Sequence, residues 1–356
     1  MLMLVNCSHC ETPLQLRPGA RIIRCALCHA VTHVADPRLP SLAPVPYRGY
    51  APSPTHGVPW GPPPAAHGRK RAVICGISYR YSRSLELRGC INDAKCMKYL
   101  LINRFRFPES SIIMLTEEAT DPYKIPTKKN IRIALNWLMQ GCRPGDSLVF
   151  HFSGHGSQQP NYFGDEADGL DETLFPLDFE TKGVLVDDEI NASIVRPLPR
   201  GAKLHAIIDA CHSGTALDLP FLCRMDRNER YHWEDHRPRS GVWKGTNGGE
   251  AISFSACDDH QMSADTAALS KITSTGAMTF SFIKAIEWGH GTTYGSILKS
   301  MRRTIRSTGD AMSGGPVTTL MSMLLTGGSS VGGGLTQEPQ LTAGDMFDVN
   351  MKPFSL

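Results

Sequence analysis

Two polar clusters, one with a histidine and one with a cysteine, each follow an apolar run typical of a buried strand. His155 stands in a Ser-Gly-His-Gly cluster after residues 147–152, and Cys211 stands in an Asp-Ala-Cys-His-Ser-Gly cluster after residues 203–208. A thiolate attacks a carbonyl carbon, and a neighbouring imidazole takes the thiol proton and later protonates the leaving amine. The pair therefore predicts a cysteine hydrolase with Cys211 as nucleophile and His155 as base.

A simpler interpretation of this cysteine is structural, because free cysteine is among the residue types most often buried. The position of both clusters at the ends of apolar strands favours the catalytic interpretation. Three further histidines are weaker candidates for the base, since two lie inside strand patterns and one adjoins the cysteine. They are His151, His205 and His212.

Apolar runs and helical periods alternate along the chain from residue 70 onward. They predict strands at residues 71–77, 111–115, 147–152, 203–208 and 251–255, and helices at residues 92–103, 130–139 and 278–288. This alternation predicts an α/β fold in which helices cover both faces of a mostly parallel sheet. Loops at the carboxyl ends of parallel strands meet at one edge, where ligands bind. We expect His155 and Cys211 to meet there.

The two clusters resemble the active-site blocks of caspase-fold peptidases, with His155 lying 56 positions before Cys211. The Asp-Ala-Cys-His-Ser-Gly cluster departs from the Gln-Ala-Cys of caspases and is similar to metacaspases. With its paired CxxC sequences and proline-rich segment, the chain resembles plant type I metacaspases over nearly its whole length. The resemblance implies a caspase-like fold, a self-processing cysteine endopeptidase made as a zymogen, and a role in programmed cell death and plant defence.

The resemblance also implies a pocket for the substrate side chain before the scissile bond. The metacaspase residues that line this pocket match Cys90, Asp93, Ser153 and Asp209. Two carboxylates select a cationic side chain and repel an acidic one, so we expect cleavage after Arg or Lys. Asp93 has a simpler interpretation as well, because an acidic residue in the first turn stabilises a helix without any substrate.

Residues 165–189 contain ten acidic residues and one basic residue, Lys182. Calcium accepts several oxygen ligands in irregular geometry, so such a segment suits it, although no EF-hand spacing is present. A solvated acidic face and helix capping are the alternatives that the local pattern leaves open. The metacaspase resemblance implies an activating calcium site formed by Asp171, Asp187, Asp188 and Asp218.

A basic segment with interspersed Gly and Pro and no clear period follows the cysteine cluster. Its basic residues are Arg224, Arg227, Arg230, Arg237, Arg239 and Lys244. The pattern predicts an exposed loop. A peptidase that cleaves after basic residues can cut itself there, and the resemblance implies maturation between a large and a small part.

The N-terminal head contains two CxxC pairs separated by fourteen residues, formed by Cys7, Cys10, Cys25 and Cys28. This spacing is typical of a four-cysteine structural zinc site, and a segment this short needs the metal to fold. A redox CxxC is the alternative. The head resembles the zinc finger named for a plant cell-death regulator of the lesion-simulating-disease type, which implies a regulatory protein partner.

Composition divides the chain into a zinc-ribbon-like head at 1–34, a proline-rich linker at 35–68 and a peptidase domain at 69–356. Within the last, we expect a large part at 69–224, a basic loop at 225–248 and a small part at 249–356.

The formal net charge of +3 is too small to imply a nucleic acid partner. No stretch approaches the roughly 18 apolar residues of a membrane span, and the first residues lack the basic flank of a secretory signal. We therefore expect a monomer in the cytoplasm, and also in the nucleus, that acts on protein or peptide substrates. A zinc-finger scaffold without activity and an asparaginyl peptidase of the same fold remain open alternatives.

Overall fold

The computed structural model divides into two compact units, Met1–Gly57 and Val58–Leu356. Four short strands are described in the first unit. In the second unit the described residues are 70–161, 166, 169–211, 213–225, 230–238, 240–255, 277–287, 289, 292–310 and 339–356.

Two antiparallel hairpins make up the described part of the first unit. Strand β1 (Met3–Asn6) pairs with β2 (Pro13–Leu16), and β3 (Ile22–Arg24) pairs with β4 (Val31–His33). In the sequence, one CxxC pair falls between the two strands of each hairpin. The predicted zinc ligands themselves, Cys7, Cys10, Cys25 and Cys28, lie outside the described residues.

An eight-stranded sheet is the centre of the second unit. The strands of this unit are β5 (Lys70–Gly76), β6 (Ile112–Thr116), β7 (Ser147–Ser153), β8 (Gly156–Pro160), β9 (Leu170–Leu174), β10 (Leu185–Val186), β11 (Lys203–Asp209), β12 (Phe221–Met225), β13 (Tyr231–Asp235), β14 (Glu250–Ser255) and β15 (Gln340–Ala343). The large sheet has the order β13-β12-β15-β14-β11-β7-β5-β6, and β10-β9-β8 form a small antiparallel sheet. The five strands from β14 to β6 are parallel, whereas β15, β12 and β13 are antiparallel additions.

Helices cover both faces of the large sheet. They are α1 (Cys90–Asn103), α2 (Lys128–Met139), α3 (Phe179–Lys182), α4 (Asp187–Ile190), α5 (Ala277–Glu287) and α6 (Tyr294–Asp310). Alternate residues of the buried strands point to opposite faces: Phe150 joins the apolar cluster that includes α2, and Val149 joins the cluster that includes α1, α5 and α6. The predicted α/β fold is therefore confirmed. Among the described helices, none is both long enough and apolar enough to cross a membrane.

All eight strands and helices predicted from the sequence are present, and their ends agree within two residues. The pattern did not indicate the small sheet, helix α6 or strand β15. Short strands with few apolar residues, such as β8 with its Gly-Ser-Gln-Gln-Pro sequence, have no period that distinguishes them from a loop.

The prediction of an exposed loop over residues 224–244 is wrong in three places. Arg224 and Met225 belong to β12. Residues Tyr231–Asp235 form β13, in which the Tyr231 hydroxyl donates to the Gly295 carbonyl at 2.7 Å and the Trp233 indole donates to the Phe347 carbonyl at 2.8 Å. The side chain of Lys244 is only 3% exposed. The basic composition of the segment gave no signal of its strands or of the buried lysine, because these depend on partners elsewhere in the chain.

Candidate active site

The carboxyl ends of three parallel strands align at one edge of the large sheet. Asp209 of β11 lies opposite Ser153 of β7, and Ser153 lies opposite Gly76 of β5. The backbone contacts continue past the strands, since the amide of Gly154 donates to the carbonyl of Asp209 at 3.2 Å. The two chemically distinctive clusters of the sequence therefore leave the sheet side by side.

The segments that carry His155 and Cys211 are in direct contact. A Cβ atom placed on Gly156 would lie 2.4 Å from the carbonyl oxygen of Cys211 and 3.1 Å from the Cβ of Ala210. Real Cβ atoms do not approach a carbonyl oxygen so closely, so this contact requires glycine. Cys211 is a free cysteine that is partly exposed at the edge where the histidine also lies.

The imidazole of His155 is held by a backbone carbonyl. Its Nε2 lies 2.7 Å from the carbonyl oxygen of Leu85, which can only accept a hydrogen bond. This assigns the ring hydrogen to Nε2 and makes Nδ1 the proton acceptor of the neutral ring. Burial lowers the pKa of His155, partly opposed by the Leu85 carbonyl, so the ring is held in the basic form near neutral pH.

Tyr79, which the sequence patterns did not single out, fixes the backbone of His155. Its hydroxyl donates to the carbonyl of Phe175 at 2.6 Å and accepts from the amide of His155 at 3.0 Å. The centroids of the Tyr79 and His155 rings are 4.6 Å apart. Tyr79 is fully buried and has a φ of +51°, an uncommon backbone conformation for a non-glycine residue. It lies three residues beyond the end of β5, and nothing in the local sequence pattern marks it.

We expect Tyr79→Phe to lower kcat by roughly tenfold to a hundredfold with little change in KM. Loss of the hydroxyl leaves the buried amide of His155 without its acceptor, at a cost of about 1–3 kcal/mol that misplaces the base rather than the substrate. Steady-state kinetics measures the effect, and Tyr81→Phe is the matched control because Tyr81 is 53% exposed. Equal kcat for both variants would show that the hydroxyl does not position the histidine.

The four residues predicted for the substrate pocket come together beneath this edge. Ser153 donates its hydroxyl hydrogen to Asp93 at 2.9 Å, and Asp209 accepts from the amide of Thr279 at 2.7 Å. Cys90 and Asp93 both lie in the first turn of α1. All four are buried, with Asp93 the most exposed at 8%.

The two pocket carboxylates repel each other. Burial, then repulsion from Asp209, raises the pKa of Asp93 well above its ordinary value, and the Ser153 hydrogen bond opposes this shift. Asp209 instead faces the first turn of α5, where the helix dipole favours a negative charge. The described hydrogen bond of the Asp93 side chain comes from Ser153 on β7, and no side chain caps the start of α1, so Asp93 does not act as a helix cap.

The four residues predicted to bind calcium also lie together. Oxygen atoms of Asp171 and Asp187 lie within 4.8 Å of each other and of Glu166, and those of Asp188 and Asp218 form a second such group with the same Glu166. Glu166 was counted among the acidic residues of the segment but was not singled out. Asp171, Asp187 and Asp218 are each at most 4% exposed, so the alternative of a solvated acidic face is wrong.

Burial dominates the electrostatics of this acidic cluster, by which we mean Glu166, Asp171, Asp187, Asp188 and Asp218. It raises the pKa of Asp218 to about 9 and that of Glu166 to about 7, with neighbouring carboxylates adding to both shifts. Lys244 opposes each shift, and its own pKa is raised because nearby carboxylates outweigh the effect of its burial. A cation, like proton uptake, relieves the repulsion between carboxylates this close in a buried place.

The two histidines inside the strands are packing residues, as the sequence indicated. His151 and His205 are fully buried, and their Nε2 atoms bond with the hydroxyls of Thr279 at 3.1 Å and Tyr294 at 2.6 Å. Burial lowers the pKa of each to about 3. His212 lies outside the described residues.

Comparison with known proteins identifies the family. Residues 70–220 match the model described as Metacaspase, peptidase C14 domain, and residues 7–31 match the LSD1 zinc finger. The chain is 71% identical to Metacaspase-1 of Arabidopsis thaliana, across 99% of this chain and 96% of that protein. The chain belongs to the metacaspase family. Metacaspase-2 of the same plant is 52% identical over 100% of both chains.

This metacaspase therefore has a cysteine peptidase domain behind an LSD1-type zinc finger, and both resemblances drawn from the sequence are confirmed. Among solved structures, caspase-1 from Spodoptera frugiperda shows a more distant likeness, with 11% identity and a TM-score of 0.36 over 83% of this chain and 94% of that one.

Proposed function

We propose that this metacaspase is an endopeptidase that cleaves after Arg or Lys, with Cys211 as nucleophile and His155 as base. The observation that carries the specificity is the buried pair Asp93 and Asp209, on neighbouring elements below the edge that bears Cys211. A guanidinium or ammonium between them replaces carboxylate repulsion with charge-assisted hydrogen bonds. An acidic substrate side chain adds a third negative charge.

The two ring nitrogens of His155 have different roles in the proposed reaction. Nδ1 takes the thiol proton of Cys211, and the thiolate attacks the scissile carbonyl carbon. The carbon–nitrogen bond then breaks as the imidazolium returns its proton to the leaving amine. A water molecule, deprotonated by the same nitrogen, attacks the thioester carbonyl carbon. The carbon–sulfur bond then breaks, the carboxyl product is released, and the Cys211 thiolate takes its proton back from the imidazolium. Throughout, the Leu85 carbonyl keeps Nε2 oriented and stabilises the imidazolium.

Peptides that differ only at the residue before the cut test this proposal directly. The purified full chain is assayed with and without calcium on peptides carrying Arg, Lys, Asp or Asn at that position. We expect cleavage after Arg and Lys. Arg should be at least as good as Lys, because its planar guanidinium can donate two hydrogen bonds to one carboxylate. Efficient cleavage after Asp would refute the pocket assignment, and cleavage after Asn alone would favour the asparaginyl peptidase alternative.

We further propose that the acidic cluster binds an activating calcium ion. The donor set fits, because all five side chains offer carboxylate oxygens, which calcium prefers, and they surround a cationic group already. The ion would neutralise the cluster and hold β9 against the segment that follows Cys211, since Asp171 lies in β9 and Asp218 lies seven positions after Cys211.

Replacing Asp187 and Asp188 together with Ala should raise the calcium concentration needed for activity, or abolish the response. The substitutions leave the residues of the catalytic pair and the pocket unchanged, and they remove carboxylates that contact the Glu172 amide and the Lys244 ammonium. A calcium titration of peptide cleavage measures the shift. Asp235→Ala, which removes an exposed carboxylate on β13, is the control. Superimposable calcium curves for the double variant and the parent would rule out the site.

The zinc finger should hold one zinc ion per chain through Cys7, Cys10, Cys25 and Cys28. Replacing Cys25 and Cys28 with Ser should remove the zinc and leave peptide cleavage unchanged, because the proline-rich linker separates the finger from the peptidase domain. Metal analysis of the full chain under reducing conditions gives the stoichiometry. Cys96→Ser, in an exposed position on α1, is the control. Unchanged zinc content in the double variant would contradict the assignment.

The remaining roles that we propose rest on the family resemblance. They are self-processing within the basic segment, a regulatory protein partner for the finger, participation in programmed cell death, and residence in the cytoplasm and nucleus as a monomer.

A further inference from the structure

A lysine ammonium occupies the acidic cluster. The Nζ of Lys244 lies 2.9 Å from Asp218 Oδ2 and 3.7 Å from Asp188 Oδ1, and it donates a hydrogen bond to Glu166. The Lys244 side chain is 3% exposed, and those of Asp218 and Glu166 are 6% and 11% exposed. Three carboxylates therefore enclose one buried positive charge, which comes from a segment distant in sequence.

The backbone of Lys244 is fastened at the same place. The fully buried Asn191 donates its side-chain amide to the carbonyls of Lys244 at 2.8 Å and of Leu217 and Asp218 at 3.0 Å each. The Asn191 side chain thus joins the backbone at Lys244 to the backbone at Leu217 and Asp218. The side chains that precede Lys244 are packed less tightly, since Val242 and Trp243 are 44% and 52% exposed.

The ammonium and a calcium ion cannot use these carboxylates together. Calcium needs oxygen ligands at about 2.3–2.6 Å, and it needs several of them at once. The Lys244 nitrogen already stands at hydrogen-bond distance from Asp218, so a calcium ion bound to the same oxygens would lie within a few ångströms of a second positive charge. At that separation two cations in a buried place repel each other strongly.

We propose that Lys244 is a tethered cation that occupies the calcium site and that calcium binds by displacing it. The inference rests on the proposed calcium function and adds Glu166 as a shared ligand. Displacement removes the ammonium from all three carboxylates and frees the segment around residues 240–246, in which the remaining described side chains are mostly exposed. Calcium binding is thereby coupled to release of this part of the basic segment.

Calcium binding to Lys244→Met tests the proposal, because methionine keeps an unbranched side chain of nearly the same length and removes its charge. All proteins carry Cys211→Ala so that no self-cleavage occurs, and affinity is measured by titration calorimetry with calcium chloride. We expect Lys244→Met to bind calcium at least about tenfold more tightly than the parent. Lys244→Arg, which keeps the charge, and Lys129→Met, an exposed lysine on α2, should bind like the parent.

The outcomes separate the inference from the proposed function on which it rests. Equal or weaker calcium binding by Lys244→Met, while the parent binds, overturns the tethered cation and leaves the calcium site standing. Binding by Lys244→Met alone supports the inference in its strongest form. Absence of calcium binding in both proteins overturns both ideas.

Hydrogen exchange on the parent gives a second test that needs no lysine variant, in case the unpaired carboxylates prevent that variant from folding. Amides of residues 242–246 should exchange faster in saturating calcium than in its absence, because the segment leaves the cluster. Slower exchange there, with calcium bound, would contradict displacement.

Discussion

Cys211→Ala should abolish peptide cleavage, with a loss of at least about 10⁴-fold in kcat, while the folded domain survives. Removal of one member of a nucleophile and base pair costs nearly as much as removal of both, so His155→Ala should be comparably damaging and the double variant little worse. The fold should persist because Cys211 is only partly buried and alanine is smaller. Kinetics and thermal melting on the same samples separate chemistry from stability.

The same chain offers a control for this experiment. Cys96 is an exposed cysteine on α1, and Cys96→Ala should cleave peptides at the parental rate. A thiol-alkylating inhibitor should label Cys211 in the parent and not in Cys211→Ala. Retained turnover in Cys211→Ala would reject the nucleophile assignment. It would also reject the scaffold alternative, which predicts no peptide cleavage.

Asp209→Asn should lower cleavage after Arg by at least about thirtyfold and leave alkylation of Cys211 unchanged. Asp209 is fully buried, and loss of one charge from a buried pair costs roughly 2–5 kcal/mol. Asparagine keeps the oxygen that accepts from the Thr279 amide, so the local hydrogen bond survives. Asp235→Asn, an exposed carboxylate on β13, is the control.

The pH dependence of the pocket adds a measurement that the catalytic pair does not affect. We compare kcat/KM for peptides with arginine and with its neutral isostere citrulline, since titration of Cys211 and His155 cancels in the ratio. The pKa of Asp93 is raised, so this carboxyl gains its proton at a higher pH than an ordinary one. As the pH falls through that pKa, the pocket loses a charge and the advantage of arginine shrinks.

Asp93→Asn completes this test. In that variant the arginine advantage should be small and nearly independent of pH, because the carboxyl that titrates is gone. A ratio that stays constant with pH in the parent would show that Asp93 does not recognise the substrate charge.

Local pattern was sufficient for the framework of the protein. Each predicted strand is a short apolar run and each predicted helix has a side-chain period of about 3.6, and both patterns are visible in a short window of sequence. The placement of His155 and Cys211 at strand ends followed from the same windows, since parallel strands in one sheet bring their carboxyl ends to one edge. The zinc-finger head was equally recognisable in the sequence, because its four cysteines form two closely spaced pairs.

The environment of these residues was decided by the tertiary structure alone. His155 is held by Leu85 and Tyr79, which precede it by 70 and 76 residues and carry no signal of their own. Lys244 looked like an exposed basic residue, yet it lies 78 residues from Glu166 in a buried cluster. Such contacts depend on which segments the sheet order brings together, whereas sequence windows report only the chain's own period. The local sequence therefore determines the strands and helices, whereas the hydrogen bonds and charges around the site arise from packing between distant segments.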